Sequence, residues 1–182
     1  MKQYLLRQST TGDKPGILDL YLNVSGNIGG LARTSEEITY DYVDTFTSKA
    51  SKNGMQFVIQ CQRSGSILGE IHCYKLEPKV FNHILSELTI AVLPEFQGQG
   101  LGRMLFQHLL HKVCEERRDI LRVELIARES NQRAIAFYQK LGFRVEGRLL
   151  NRVKGTATFE ADIPMAWMND RFESPHYDKA LI

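Results

Sequence analysis

No stretch of the chain approaches the ~18 consecutive apolar residues of a membrane-spanning helix. Met1-Lys2-Gln3-Tyr4 leads straight into strand-like sequence without a signal-peptide core. A cytoplasmic protein with no membrane partner is the expectation. Cysteine is scarce: Cys61, Cys73 and Cys114 are odd in number and show neither CxxC nor Cys/His ligand spacing. That argues against a disulfide framework and against structural zinc, and suits reduced, mostly buried thiols. A charge excess of one sign is also missing. The 23 Lys and Arg stand against 21 Asp and Glu, a net charge of +2, so no global field draws the chain to nucleic acid. Repeats, low-complexity segments and interdomain linkers are absent as well.

What remains is 182 residues, 43% of them hydrophobic and 24% charged, the proportions of one ordinary globular domain. A domain of this size removes roughly 70% of its unfolded surface from water, so its core needs no metal or cross-link. The charge balance hides a local asymmetry. Asp13, Asp19, Glu36, Glu37, Asp41 and Asp44 outnumber the bases between Asp13 and Lys49, whereas the span from Arg117 to Lys154 is rich in arginine. An anionic ligand is better placed in the second half.

Along the chain, Gln3 to Ser9 reads as a strand, followed by a helix that starts at Pro15 and breaks in the glycine-containing stretch Asn23 to Arg33. Thr34-Ser35-Glu36-Glu37 has the form of a capping box opening a second helix to about Ala50. Phe57 to Gln62 and Ile67 to Tyr74 are strands of a hairpin turning at Arg63-Ser64-Gly65-Ser66, and Leu85 to Leu93 is the next strand. A helix then carries Leu101, Leu105, Leu109 and Val113 at fourfold spacing. Leu121 to Ala127 is a strand, Asn131 to Leu141 a helix stopped by Gly142, and Phe143 to Val153 and Phe159 to Met168 are two further strands. The expected order is βαα-βββ-αβα-ββ. Asn169 to Ile182 reads as a C-terminal tail or an oligomer contact, which leaves a homodimer open.

Three glycines alternate at 98, 100 and 102 between a strand and a helix. Such a turn exposes backbone amides, removes Cβ atoms from a ligand's path and adds the positive end of the helix dipole. It is an anion site, or else a tight connection. A dinucleotide fingerprint fails here because the spacing is GxGxG and the preceding strands form an antiparallel run. A P-loop fails because Gly102 is followed by Arg103-Met104 rather than Lys-Ser/Thr.

Gln97-Gly98-Gln99-Gly100-Leu101-Gly102 resembles the pyrophosphate-binding motif Q/R-x-x-G-x-G/A of the GNAT acyl-CoA N-acyltransferases. Leu88 to Phe96 is similar to that family's fourth strand and its entry to the loop. Asn131-Gln132-Arg133-Ala134-Ile135-Ala136-Phe137-Tyr138-Gln139-Lys140-Leu141-Gly142-Phe143 is similar to its second signature. The resemblance covers residues 3 to 168. It implies a mixed, mostly antiparallel α/β sheet of about seven strands with helices on both faces and a splay between strands four and five. A single acetyltransferase domain over 1–168 and a tail over 169–182 follow from it.

The resemblance also implies roles. Backbone groups of Ile90, Ala91 and Val92 would pair with the pantetheine arm, and Gln97, Gly98, Gln99, Gly100, Leu101, Gly102 and Arg103 would cradle the pyrophosphate. Asn131 would hold the arm, and Tyr138 would hydrogen-bond the CoA sulfur and protonate it as it leaves. Asn131 and Tyr138 are seven apart, nearly one azimuth on a helix. Glu87 shares a strand face with Thr89 and Ala91, opposite Leu88, Ile90 and Val92. It is either the family's general base or a strand-end carboxylate paired with an arginine. Glu37, Asp41 and Asp44 fall on one face of the second helix, either a solvated stripe or the wall of the acceptor pocket. His72, His83, His108, His111 and His176 have no carboxylate or cysteine at ligand spacing and receive no role.

The implied activity is transfer of an acetyl group from acetyl-CoA to a primary amine, on a small molecule or a peptide N-terminus. No metal and no covalent enzyme intermediate are needed. A CoA-binding sensor without turnover, or a transferase with a longer acyl donor, would share the same residues.

Overall fold

The computed structural model describes residues 4–25, 31–155 and 158–173. The elements run β1 (Tyr4–Gln8), α1 (Lys14–Ser25), α2 (Tyr40–Asn53), β2 (Gly54–Cys61), β3 (Ile67–Tyr74), β4 (Ile84–Val92) and α3 (Leu101–Glu116). They continue with β5 (Arg122–Arg128), α4 (Gln132–Lys140), β6 (Arg144–Val145), β7 (Leu149–Lys154) and β8 (Phe159–Met168). The expected order holds with one addition. The stretch 143–153, expected as one strand, leaves the ladder around Gly147 and divides into β6 and β7, so the described strands number eight rather than about seven.

The chain forms two compact units, Met1–Tyr74 with Leu88–Leu109, and Lys75–Glu87 with Leu110–Ile182. In the first, β1, β2 and β3 are antiparallel neighbours and β3 adjoins β4. Seven of the eight β3 residues are buried, so both faces of this sheet must be covered. One face meets Ile17, Leu20, Tyr21 and Val24 of α1 and Val43 and Phe46 of α2, which close over Val58 and Ala91. The other face meets α3. A Cβ placed on Gly69 would lie 3.2 Å from Leu105, and the Phe57 ring stands 4.7 Å from that of His108. Each large side chain so buried contributes roughly 1.5–3 kcal/mol.

In the second unit, β4 pairs with β5 in parallel through Ile84↔Arg122 and Leu85↔Val123. The expected splay of the fourth and fifth strands thus appears as a parallel ladder two residue pairs long. β5 runs antiparallel to β8 from Arg122↔Met168 to Arg128↔Asp162, and β6 and β7 both pair with β8. The chain does not become a tail at Asn169. Asn169 and Phe172 are buried, and Asn169 binds the Leu121 and Ile120 carbonyls, at 2.8 Å through its N–H and 2.9 Å through Nδ2. Packing therefore continues past the expected boundary, and 174–182 lie outside the described residues.

The expected acidic helical face does not form. Glu37 belongs to a short 3₁₀ turn, Ser35–Glu37, in which its carboxylate accepts from the Thr34 N–H at 2.8 Å. Ile38 breaks the turn, and α2 starts afresh behind Thr39, whose side chain accepts from the Tyr42 N–H. Asp44 is paired with Lys14 at 2.5 Å, and Asp41 is exposed in the first turn of α2. The capping box is real; it caps a different element.

At the start of α1, Arg7 of β1 grips Asp13 with two hydrogen bonds, 2.8 and 2.7 Å, and Asp13 also accepts from the Thr10 N–H at 2.7 Å. The Arg7 hydrogen bond outweighs burial, and with Thr10 it lowers the Asp13 carboxyl to about 2. A depressed carboxyl stabilises the fold above its unfolded value of ~3.9, and that contribution is lost as pH falls through the folded value. Asp13→Asn is expected to lose about 2 kcal/mol at pH 7. In urea titrations the gap to wild type should narrow as pH falls toward about 2. A gap independent of pH would show that Asp13 does not act through its charge.

Candidate active site

The glycine turn is built by backbone conformation that its sequence permits. After β4 the chain makes a short 3₁₀ turn, Pro94–Phe96, and Gly98 and Gly100 take left-handed φ angles of 76° and 89°. A Cβ at either position would meet nothing within 4 Å. Conformation, and not crowding by the protein, calls for glycine there. The first bond of α3 is Met104 N–H to the Gly100 carbonyl at 3.0 Å, so the amides of Leu101, Gly102 and Arg103 precede the helix's own acceptors.

The two glutamines hold the loop with their side chains. Gln97 Nε2 donates to the Val92 carbonyl at 3.0 Å, and Gln99 Nε2 donates to the Glu95 carbonyl at 2.8 Å. A Cβ at Gly102 would sit 3.7 Å from Ile90 and 3.9 Å from Val92. Residues 90, 92, 97 and 102 are thereby brought together, with Ala91 buried on the opposite face and Arg103 exposed. An open surface of successive amides beside a helix amino end suits an anionic group such as a phosphate.

Glu87 lies in β4 with φ 55°, a left-handed conformation inside a strand. For a residue with a Cβ this costs roughly 1–2 kcal/mol, and it breaks the two-residue alternation on which the face assignment of Glu87 depends. The side chain is exposed.

In α4 the expected helical azimuth shared by Asn131 and Tyr138 does not apply, because Asn131 is the N-cap. Its backbone is outside the helix (φ −86°, ψ 59°) and its side chain accepts from the Ala134 N–H at 3.1 Å. The other end explains Leu141-Gly142-Phe143. Phe143 N–H bonds the Tyr138 carbonyl at 3.1 Å, Gly142 N–H bonds that of Gln139 at 3.0 Å, and Gly142 has φ 95°. This Schellman closure places the Phe143 ring 6.2 Å from Tyr138. Tyr138 is half-buried between Phe143 and Phe137, and burial pushes its phenol up to about 12.

In the first unit the expectation that His72 has no carboxylate partner is overturned. Glu70 and His72 of β3, both buried, are 3.0 Å apart, and Tyr21 and Gln56 bind the same carboxylate. The spacing i, i+2 on a buried strand was the available signal: it puts an acid and an imidazole on one face. Among the described residues no group of three or more His, Cys, Asp or Glu could hold a metal ion.

Element order and sheet topology define a class of mixed α/β fold, and comparison with known proteins identifies it. The structure superimposes on yncA of Salmonella typhimurium, solved with its cofactor acetyl-CoA, with a TM-score of 0.80 over 97% of this chain and 100% of that one, at 17% identity. An N-acetyltransferase from Staphylococcus aureus Mu50 matches with a TM-score of 0.77 over 91% and 98% of the two chains, at 20% identity. At these identities the likeness shows the fold.

Residues 29–143 match the model of the Acetyltransferase (GNAT) family, and the chain belongs to that family. Among curated relatives, the [ribosomal protein bS18]-alanine N-acetyltransferase of Salmonella typhimurium is 48% identical over 63 residues, 33% of this chain and 41% of the relative. Spermidine N(1)-acetyltransferase of Escherichia coli is 27% identical over 123 residues, 66% of this chain and 62% of the relative. The chain thus spans less than two thirds of the length of these relatives.

Gly142→Ala would force a side chain into φ 95° with its Cβ 3.3 Å from Trp167. A loss of about 1–2 kcal/mol in urea unfolding is expected. A variant as stable as wild type would show that the closure does not hold the end of α4.

Proposed function

We propose that the protein transfers an acetyl group from acetyl-CoA to a primary amine by direct attack within a ternary complex. The observation that carries this reading is the turn at Gly98 and Gly100, which combines left-handed glycines, open space and the amino end of α3. Gln97 to Arg103 would hold the pyrophosphate, while backbone groups of Ile90, Ala91 and Val92 would hold the pantetheine arm. Val92's carbonyl already accepts from Gln97 and has a second lone pair to offer. Asn131 would contribute from the N-cap of α4. The acetyl-CoA supplies the activated acyl group; the chain supplies orientation and proton transfers. We read 1–168, with the packed residues 169–173, as one acetyltransferase domain.

Tyr138 is assigned to the CoA sulfur. A phenol at about 12 keeps its proton at neutral pH, and giving it up fully to a thiolate of pKa ~8.5 would be uphill by about 5 kcal/mol. Its contribution is therefore a hydrogen bond that strengthens as negative charge develops on sulfur. Glu87 is assigned to the acceptor. An alkylammonium near pKa 10.4 is only about 0.1% neutral near pH 7.4, and a carboxylate both attracts it and can take its first proton. Left-handed strain at Glu87 suits a residue set by function. The named relatives act on a peptide alanine and on spermidine, and a primary amine on a peptide end or a small cation is the acceptor class proposed here.

The primary test is release of free CoA from acetyl-CoA across an amine panel, with mass spectrometry of the product. CoA binding without release for any amine would point to a sensor. Gly102→Val, at a right-handed position where a Cβ fits, is expected to fold and to weaken CoA binding by at least tenfold; unchanged affinity would remove the site.

Tyr138→Phe should lower kcat by about 10²-fold with little change in KM for acetyl-CoA. Because the protonated phenol is the working form and its value is raised to about 12, wild-type activity should show no Tyr138 ionisation below that pH. Wild-type turnover in the Phe variant, with chemistry rate-limiting, would overturn the assignment.

A further inference from the structure

This inference rests on the proposed acetyl transfer and adds a second proton acceptor to it. A primary amine that arrives as an ammonium and leaves as an amide gives up two protons from one nitrogen. The first must go before the nitrogen can attack. The second goes after the N–C bond has formed, and one carboxylate at Glu87 cannot keep both.

The buried cluster on β3 has the form of a proton acceptor. Tyr21 O–H reaches Glu70 Oε2 at 2.7 Å, Gln56 Nε2 reaches Oε1 at 2.9 Å, and His72 Nδ1 stands 3.0 and 3.3 Å from the two oxygens. With donors converging on the carboxylate, the favoured neutral imidazole carries its proton on Nδ1 and leaves Nε2 as the accepting nitrogen. The ring is held by stacking on Phe46, 4.1 Å away at 6°, with Tyr74 beyond at 6.1 Å. Burial first, and then the Glu70 charge, push the Tyr21 phenol well above its ordinary value, so Tyr21 remains a donor.

β3 brings this pair beside β4. Leu93 N–H bonds the Leu68 carbonyl at 2.9 Å, and a Cβ on Gly69 would meet Ala91 and Val92, so the two strands run in opposite directions. Counting along both from Leu68 and Leu93 sets His72 opposite Thr89. Ala91 faces the α1 and α2 cluster, and Thr89, two residues earlier, shares that face. Thr89 is also next to Ile90, the backbone assigned to the acyl-CoA arm. At the other end of the network, Thr47 and Gln56 line an open cleft of about 310 Å³ together with Ser9 and Lys14, so water comes close to the donors that hold Glu70.

We propose that His72, held by Glu70, takes up through the Thr89 hydroxyl the proton that the acceptor nitrogen loses after bonding to the acyl carbon. The N–C bond forms and the C–S bond breaks. The nitrogen's proton passes to Thr89 Oγ1 as the Thr89 proton passes to His72 Nε2. The thiolate takes a proton from solvent, and His72 returns one to solvent. Among the described residues, the titratable and charged groups recorded around the pair are Tyr21 from α1 with Tyr42 of α2 against it, and Tyr74 on β3 with Lys49 of α2 over its ring; β2 presents the neutral Gln56, and β4 carries the neutral Thr89 with Glu87 two residues before it.

The test compares kcat for wild type, His72→Asn and Glu87→Gln with one alkylamine over roughly pH 6 to 10. An asparagine amide can still donate to Glu70 but cannot accept a proton. His72→Asn is expected to lower kcat by at least tenfold at every pH with acetyl-CoA affinity unchanged, because its proton exists only after attack. The Glu87→Gln deficit should close as pH rises and the amine arrives neutral. A His72→Asn rate equal to wild type, or a deficit that closes with pH in the same way, overturns the proposal.

If that variant does not fold, the ¹⁵N spectrum of wild-type His72 decides. A proton on Nδ1 and a lone pair on Nε2 at neutral pH supports the proposal, and the reverse tautomer overturns it. Wild type that releases no CoA with any amine removes the acetyl transfer itself, a different result from an active wild type matched by His72→Asn.

Discussion

β3 is buried on both faces, and the arrangement of the first unit follows from that constraint. A strand in this position needs a helical layer on each side, since an uncovered face would leave several large apolar side chains in water at roughly 1.5–3 kcal/mol each. α1 and α2 supply one layer and the first turns of α3 the other. Because α3 must lie against β3, the chain leaving β4 has only a short 3₁₀ turn and Gln97 to Gly100 in which to reverse. So tight a reversal calls for left-handed residues, and those residues open the amides at the start of the helix.

The two layers differ in chemistry. Phe57, Leu105 and His108 make the α3 side a largely apolar contact. The α1 and α2 side instead encloses a carboxylate with 0% exposure. Such a group survives burial only when donors surround it, and a hydrogen bond to a buried charged group is typically worth about 1.5–3 kcal/mol. Tyr21 from α1, Gln56 from β2 and His72 from β3 all converge on Glu70, with Thr47 of α2 behind Gln56. Apolar packing alone would tolerate sliding of these elements; a set of directed hydrogen bonds on one carboxylate fixes their register.

In the second unit the fixing device is a helix end. The Phe143 N–H holds the Tyr138 carbonyl while the Phe143 ring covers the Tyr138 side chain. The same few residues therefore terminate α4, set the rotation of its last turn and create the apolar surroundings that raise the phenol. Asn131 performs the corresponding task at the other end, as N-cap. Signature residues here serve structure and proposed function with different atoms.

The sequence by itself determined the elements whose signals are local. Apolar spacing in α3, the Arg63 to Ser66 hairpin, the glycine turn and the stop at Gly142 all depend on residues a few positions apart, and each appears where expected. Capping chemistry was legible as well, although Thr34 and Glu37 close a 3₁₀ turn while Thr39 starts α2, because one box cannot tell how far a helix continues beyond it. Contacts between distant segments were left to the tertiary structure. The pairing of Asp44 with Lys14, the packing of Asn169 against Ile120 and Leu121, and the left-handed backbone at Glu87 have no nearby sequence signal. The Glu70 cluster joins residues 21, 56, 70 and 72. A hydrogen bond is decided by which strands become neighbours and which faces are closed, and only the folded chain sets both.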